Sequence, residues 1–412
     1  MLRVRNEHEE LVLRLLRRHG PLSRGELVAL SGLSRTTLYD IVVALVDGGT
    51  VTVSVPEVAR RGRGRPVEKL ALNPAAGQVI GIDFARQAVR VATASITHEV
   101  IATAGERQGA TATWQERVDT AYRLVGRLTG GAPRLGALSA IGVGVSAPLA
   151  ATAAELPDGD GPGAVAELVR RRFDAPVRWD NGSRLAALAE SRWGAARGDR
   201  DVVYLHLSHG VGGGLVVDGT LHRGAYGLSG EFGHITVDPE GAACCCGGVG
   251  CLQTVASVGA VLDAYRTAGG AARDLGDLVA ALASGDCTAR AVLAGVGTRI
   301  GRVLAALSHT VDPRVIVVGG ELAAVGEAVL EPIRRALDLG LLPDARAQVS
   351  LRPARFGEFG AALGAVAWLR PGTTRVPRLD APTADHAGRR GAVAPLRSDA
   401  VSGDVLLDVP AP

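Results

Sequence analysis

A chain of 412 residues with 47% hydrophobic content can bury a sizeable core, is too long for one compact unit, and is not broadly disordered. Only 3% of residues are aromatic, so Ala, Val and Leu must fill the interior, and 55 glycines point to many tight turns and close backbone approaches. The net charge of +3 is uneven: residues 1–70 hold twelve Arg or Lys and eight Asp or Glu, which is +4 there and −1 for the rest. Such a basic end on a near-neutral body suits contact with nucleic acid, although a solvated basic surface would look the same.

The start MLRVRNEHEE has no apolar signal-peptide core, and no uninterrupted apolar run of about 18 residues follows. A cytoplasmic protein without a membrane partner is expected. Glu7 to His19 reads as a helix with Leu11, Val12, Leu15 and Leu16 on one stripe, stopped by Gly20-Pro21. Ser23 and Glu26 form a capping box that opens a short helix burying Leu27 and Leu30, ended by Gly32. Ser34 then caps a third helix whose packed face is Leu38, Ile41, Val42, Leu45 and Val46. Its first turn, Arg35-Thr36-Thr37 with Tyr39, stays free of the core.

Helix, short helix, glycine turn and helix with a polar start is the helix-turn-helix layout, which places Ser34, Arg35, Thr36, Thr37 and Tyr39 against DNA. Two alternating strands, Val51 to Val55 and Val67 to Leu72, enclose the basic loop Arg60 to Pro66. That loop reads as a wing, with Arg63 and Arg65 able to enter a narrow minor groove. The DNA-binding unit thus spans 1–72. One such module reads a short half-site, so a homodimer or a dimer of dimers on operator DNA is expected.

From Gln78 the texture is α/β. Val79 to Asp83, Ala88 to Ala94, Ala140 to Val145, Asp201 to Leu207 and Val315 to Val318 read as strands. Helical stretches such as Ser183 to Trp193, Thr298 to Ser308 and Val325 to Leu337 lie between them. Four of the five cysteines fall between 244 and 251. His234, Cys244, Cys246 and Cys251 have the spacing His-x9-Cys-x-Cys-x4-Cys, and three thiolates with one imidazole make a closed tetrahedral set suited to structural Zn2+. Cys245 should point away, and Cys287 reads as a small core residue. After Arg370 the chain loses periodicity, so 371–412 is expected to be a disordered tail.

Gly210-Val-Gly-Gly-Gly214, Glu231-Phe-Gly-His234 and the run from Cys244 to Ser257 resemble the ROK (repressor, ORF, kinase) family, and the resemblance extends over about residues 5 to 370. It implies a two-lobed actin/hexokinase-like, ribonuclease H-like sugar-kinase fold over 73–370, with a sugar site in the cleft. Members with an N-terminal winged helix are typically repressors of sugar-related genes. The resemblance places zinc on the four residues already named, and a sugar on Asn181, Glu231 and His234. Gln253 stands where the family usually has a sugar-binding Glu.

The family's kinase parts are altered. Its Asn-Asp pair reads Asn181-Gly182, so the catalytic base is missing, with Asp180 a fallback immediately before the pair. Its first phosphate loop, Asp-x-Gly-Gly-Thr, reads Asp83-Phe84-Ala85-Arg86-Gln87, and His209 replaces a Thr before Gly210. Gly319-Gly320 persists as a turn. A sugar-responsive regulator without kinase activity is the expectation. The alternatives are a sugar kinase with an appended DNA-binding domain and a scaffold without a small ligand.

Overall fold

The computed structural model describes residues 2–47, 50–54, 68–73, 78–95, 100–109, 111–129, 138–145, 162–369 and 378–379. The N-terminal unit runs α1 (Leu2–His19), β1 (Leu22–Ser23), α2 (Arg24–Ser31), α3 (Arg35–Asp47), β2 (Val51–Ser54) and β3 (Lys69–Leu72). The capping box forms as expected: Ser23 Oγ accepts from Glu26 N at 3.3 Å, and Glu26 Oε2 accepts from Ser23 N at 2.7 Å. Gly32, at φ +69°, ends α2 in a left-handed cap, and the chain bends by 118° between α2 and α3.

Val12, Leu16, Leu27, Leu38, Ile41, Val42, Leu45 and Leu70 close the small core. Leu30, expected inside with Leu27, is 47% exposed, because the two-turn α2 offers its inner face through Leu27 and Val28. The three strands form an antiparallel sheet in the order β1-β3-β2. β1 escapes sequence reading because it is two residues long and exists only by pairing with Leu70 and Lys69. The wing residues Arg63 and Arg65 lie outside the described residues, although the strands that flank them are paired.

The body repeats one strand order twice. The first lobe comprises β4 (Gln78–Ala85), β5 (Ala88–Ser95), β6 (Val100–Arg107), α4 (Trp114–Thr129), β7 (Leu138–Val145), α5 (Pro162–Phe173) and β8 (Val177–Asn181). Its sheet runs β6-β5-β4-β7-β8, antiparallel from β6 to β4 and parallel from β4 to β8. The second comprises α6 (Gly182–Trp193), β9 (Val202–Leu207), β10 (Val211–Val217), β11 (Thr220–His222), α7 (Gln253–Ala256), α8 (Val258–Thr267), α9 (Leu275–Ala283), α10 (Cys287–Val311), β12 (Val315–Gly319), α11 (Glu327–Gly340), α12 (Pro343–Arg346) and β13 (Ser350–Pro353). Its sheet, β11-β10-β9-β12-β13, changes from antiparallel to parallel at the same place. This is the two-lobed actin/hexokinase-like arrangement.

The last helix, α13 (Gly360–Leu369), returns to the first sheet and packs with α6. It is apolar all round because both sides are covered, with Ala362, Leu363 and Val366 meeting Val79, Ala92 and Leu188. A Cβ at Gly364 would run into the Leu185 carbonyl, so only glycine lets the two helices approach so closely. On its other side α6 places Ala186 and Ala187 against Val202, Tyr204 and Val216 of the second sheet.

α10 is long and apolar enough to cross a membrane. It is nonetheless a core helix: Arg290, Arg299 and Arg302 interrupt it, and Gly297 and Gly301 seat it on α11. Cys287 is exposed and not in the core, because it opens α10 on the solvent side of the Asp286 cap. Of residues 371–412, Arg378–Leu379 form β14, which pairs parallel with β6.

Candidate ligand cleft and metal centre

The metal set comes together on a short knuckle. A 3-10 turn, Phe232–His234, presents the imidazole, and the ligand atoms of His234, Cys244, Cys246 and Cys251 all lie within 4.8 Å of one another. His234 Nδ1 is 3.6 Å from Cys244 Sγ, and the Cys246 and Cys251 sulfurs are 3.6 Å apart. A tetrahedral ion with bonds of about 2.3 Å needs sulfurs roughly 3.7 Å apart, which these two pairs closely match.

Cys244 N donates to Gly248 O at 2.8 Å and Gly247 N donates to Cys244 O at 3.0 Å, which wraps the knuckle. Gly250, at φ +64°, passes so close to the Asp238 carbonyl that no side chain fits. Burial, helped by the neighbouring Cys246 and Cys244 thiols, pushes the Cys251 thiol up to about 12, a penalty that a bound cation would offset. These four residues could hold a metal ion. Cys245 stands outside the set, exposed, and accepts a hydrogen bond from Gln253 Nε2 at 3.2 Å.

The candidate sugar residues surround the start of β10. Asn181 ends β8 and caps α6, its Oδ1 accepting from Ser183 N at 2.8 Å. Glu231 precedes the 3-10 turn. Burial pushes its carboxyl up to about 7, against a pull downward from Arg184, whose Nη1 lies 4.0 Å away. Gln253 Oε1 accepts from Val211 N at 3.2 Å, so both ends of its amide already have protein partners.

The glycines of β10 explain how these groups converge. A Cβ at Gly214 would lie 2.7 Å from Ala187 Cβ and 3.0 Å from Arg184 Cα, and one at Gly213 would lie 2.5 Å from the Phe232 ring. α6 therefore sits directly on one face of β10, and the turn carrying Glu231 and His234 on the other.

The residues at the expected catalytic positions are engaged elsewhere. Asp180 is 2% exposed. Its Oδ1 accepts from Asn181 N and Arg184 Nε at 2.7 Å each, while Arg223 Nη2 lies 2.6 Å from Oδ2 as an ion pair off hydrogen-bond geometry. In the first lobe β4 and β5 stay paired as far as Ala85 and Ala88, which leaves Arg86-Gln87 as a two-residue turn. Arg117 fills the approach to that turn, donating to Ala85 O at 2.7 Å and Arg86 O at 2.6 Å. Burial pushes Asp83 up to about 6 despite the opposing pull of Arg90. His209 is exposed, and Gly320, at φ +91°, packs on the Leu207 carbonyl.

Arg184 and Arg223 were not singled out from sequence. Arg184 stands four residues after Asp180 at a helix start, a spacing that could have signalled a pair. Arg223 meets Asp180 only through the fold. On α3, Ser34 Oγ accepts from Thr37 N at 3.1 Å and bonds Thr37 Oγ1 at 2.8 Å, so these two serve the cap. Arg35, Thr36 and Tyr39 are exposed, and Tyr39 is 58% accessible.

A sequence profile described as the ROK family matches residues 79–371. The chain belongs to the ROK family. It is 25% identical over 389 residues to the DNA-binding transcriptional repressor Mlc of Escherichia coli, covering 88% of this chain and 92% of that one. It is 26% identical over 375 residues to the xylose repressor of Bacillus spizizenii, covering 88% of this chain and 94% of that one. The crystal structure of a ROK family glucokinase from Streptomyces griseus, in complex with glucose and AMPPNP, superposes with a TM-score of 0.60 at 26% identity. That match covers 71% of this chain and 99% of the glucokinase.

Proposed function

We propose that this chain is a sugar-responsive, DNA-binding transcriptional repressor whose ROK body senses a ligand and does not transfer phosphate. One observation carries the reading: a helix-turn-helix backed by a three-stranded antiparallel sheet precedes the ROK body in the same chain, and similarity to two repressors runs through both parts. Arg35, Thr36 and Tyr39 at the start of α3 would read the major groove of operator DNA, with Ser34 and Thr37 fixing that first turn. Arg63 and Arg65 would add wing contacts. A homodimer in the cytoplasm, or a dimer of dimers, would engage an inverted repeat.

In the cleft, Asn181, Glu231, His234 and Gln253 would hold the hydroxyls of a sugar. Zn2+ on His234, Cys244, Cys246 and Cys251 would be structural, since four protein ligands leave no open position for chemistry. Absence of kinase activity is supported by Gly182 at the base position, by Asp180 already held between two guanidiniums, and by the short Arg86-Gln87 turn. A ligand that favours one lobe arrangement would alter operator affinity by about 1–3 kcal/mol, and operator would alter ligand affinity equally.

The test starts from DNA fragments retained by the purified protein. Operator affinity is then measured with D-glucose, D-xylose and other sugars, for wild type and Glu231→Ala. A sugar effect that disappears in Glu231→Ala is expected; one that survives would place the ligand elsewhere. The similarity to a glucokinase keeps a second reading in view, a sugar kinase with a DNA-binding domain. ATP turnover that Asp180→Ala abolishes would establish it in place of the first.

A further inference from the structure

The segment from Arg223 to Glu231 joins β11 of the second lobe to the turn that carries Glu231 and His234. It has little regular structure of its own: Gly224, Gly227 and Gly230 all adopt positive φ, and Tyr226 at its crest is 90% exposed. Inside it Ser229 N donates to Arg223 O at 3.1 Å, and the rest of its shape depends on contacts from outside.

That hold comes from the first lobe, at Asp180. Arg184 pairs with Asp180 Oδ1 through both Nε and Nη2, at 2.7 Å each. Its remaining nitrogen, Nη1, donates to Gly227 O at 2.6 Å and Ser229 O at 3.3 Å, and stands 4.0 Å from Glu231 Oε1. Arg223, at the other end of the segment, reaches Asp180 Oδ2 at 2.6 Å. Its guanidinium lies 4.4 Å above the ring of Trp368 on α13, with Arg178 of β8 stacked on the same ring at 4.1 Å. A carboxylate this buried needs its charge matched, and both matching guanidiniums are fastened to the same segment.

We infer that Asp180 is a positioning residue: through Arg184 and Arg223 it anchors residues 223–231 across the lobe boundary and holds Glu231 at the ligand cleft. The inference rests on the sugar-sensing reading of that cleft. It also accounts for Asp180 standing beside the vacant base position. Both oxygens are engaged: Oδ1 accepts from Asn181 N and Arg184 Nε and stands 2.7 Å from Arg184 Nη2 as an ion pair, and Oδ2 pairs with Arg223.

The experiment uses the full chain as wild type, Asp180→Asn, Arg223→Gln and Arg223→Lys. Amide hydrogen exchange is followed by mass spectrometry, D-glucose and D-xylose binding by calorimetry, and metal content and operator affinity as controls. In Asp180→Asn and Arg223→Gln, exchange at 224–231 should rise about tenfold or more, with α10 and β9 unchanged. Affinity for whichever sugar the wild type binds should fall about tenfold or more, while metal content and sugar-free operator affinity hold. Arg223→Lys keeps the charge toward Asp180 but not the stacking on Trp368, and should recover a clear part of the affinity lost in Arg223→Gln.

Arg223 is 42% exposed, so its variants fold even if Asp180→Asn does not. Unchanged exchange at 224–231 in Arg223→Gln overturns the anchor. So does faster exchange with sugar affinity within about twofold of wild type. If the wild type binds neither sugar while the variants exchange faster, the sugar reading of the cleft fails and the anchor is supported.

Discussion

Gly214 is the contact between β10 and the first turn of α6, and adding one methyl there should disturb both stability and ligand binding. In Gly214→Ala the new Cβ would lie 2.7 Å from Ala187 Cβ and 3.0 Å from Arg184 Cα. Carbon atoms settle at about 3.5–4.0 Å, so helix and strand must separate by roughly 1 Å. Neither neighbour can rotate away, since one is backbone and the other a Cβ on a buried helix. Overpacking of this kind costs about 1–3 kcal/mol. At roughly 2–4 °C per kcal/mol for a domain of this size, the melting temperature should fall by about 2–12 °C.

α6 also carries the Asn181 cap and Arg184, so sugar affinity should fall more than stability alone explains. Gly259→Ala is the matched control: it is exposed in the first turn of α8 with nothing within 4 Å of a new Cβ, and should gain up to about 0.5–1 kcal/mol. Calorimetric melting and sugar titration on the two variants check both signs. A Gly214→Ala protein that melts and binds like wild type would refute the close-contact reasoning.

One equivalent of zinc per chain should appear in elemental analysis of protein purified without added metal, and Cys246→Ser should lose it; a metal-free preparation with wild-type melting and sugar response would remove the assignment. Arg35→Ala should weaken operator binding by about 1–3 kcal/mol and relax specificity at one base pair, whereas Arg63→Ala with Arg65→Ala should flatten the salt dependence; unchanged affinity in the latter sinks the wing. Asp83 gives a pH prediction. Burial raises it from 3.8 to about 6, so between those values the folded state holds a proton that the unfolded state has lost. The Asp83 contribution to stability should therefore be greatest below about pH 4, fall as pH climbs to 6 and level off above, while Glu231, raised to about 7, extends the decline toward pH 7. Asp83→Asn should remove its share of that slope and stabilise the protein at pH 8 by an amount on the order of 2–3 kcal/mol, read from melts across pH; a slope that persists unchanged would assign it to another group.

What was legible in the sequence was local. Ser23 with Glu26, the periodic face of α3 and the cysteine spacing each lie within a few residues, and each appears in the structure. The four metal donors could be read because one imidazole and three thiols leave few arrangements, and because the glycines between them mark the wrap. What escaped depends on contacts distant in sequence. Nothing in Thr220 to Gly224 says that Arg223 faces Asp180, and nothing in Gln253 says that its amide is taken up by Val211 and Cys245. Leu30 and Cys287 misled because an apolar residue on a short or terminal helix has no periodicity strong enough to fix its direction.

The ring of His234 turns Nδ1 toward Cys244 Sγ. An ion bound there settles the tautomer, because the remaining ring hydrogen must then sit on Nε2. The imidazole can only donate from that side, so whatever group meets it in the cleft must offer a lone pair.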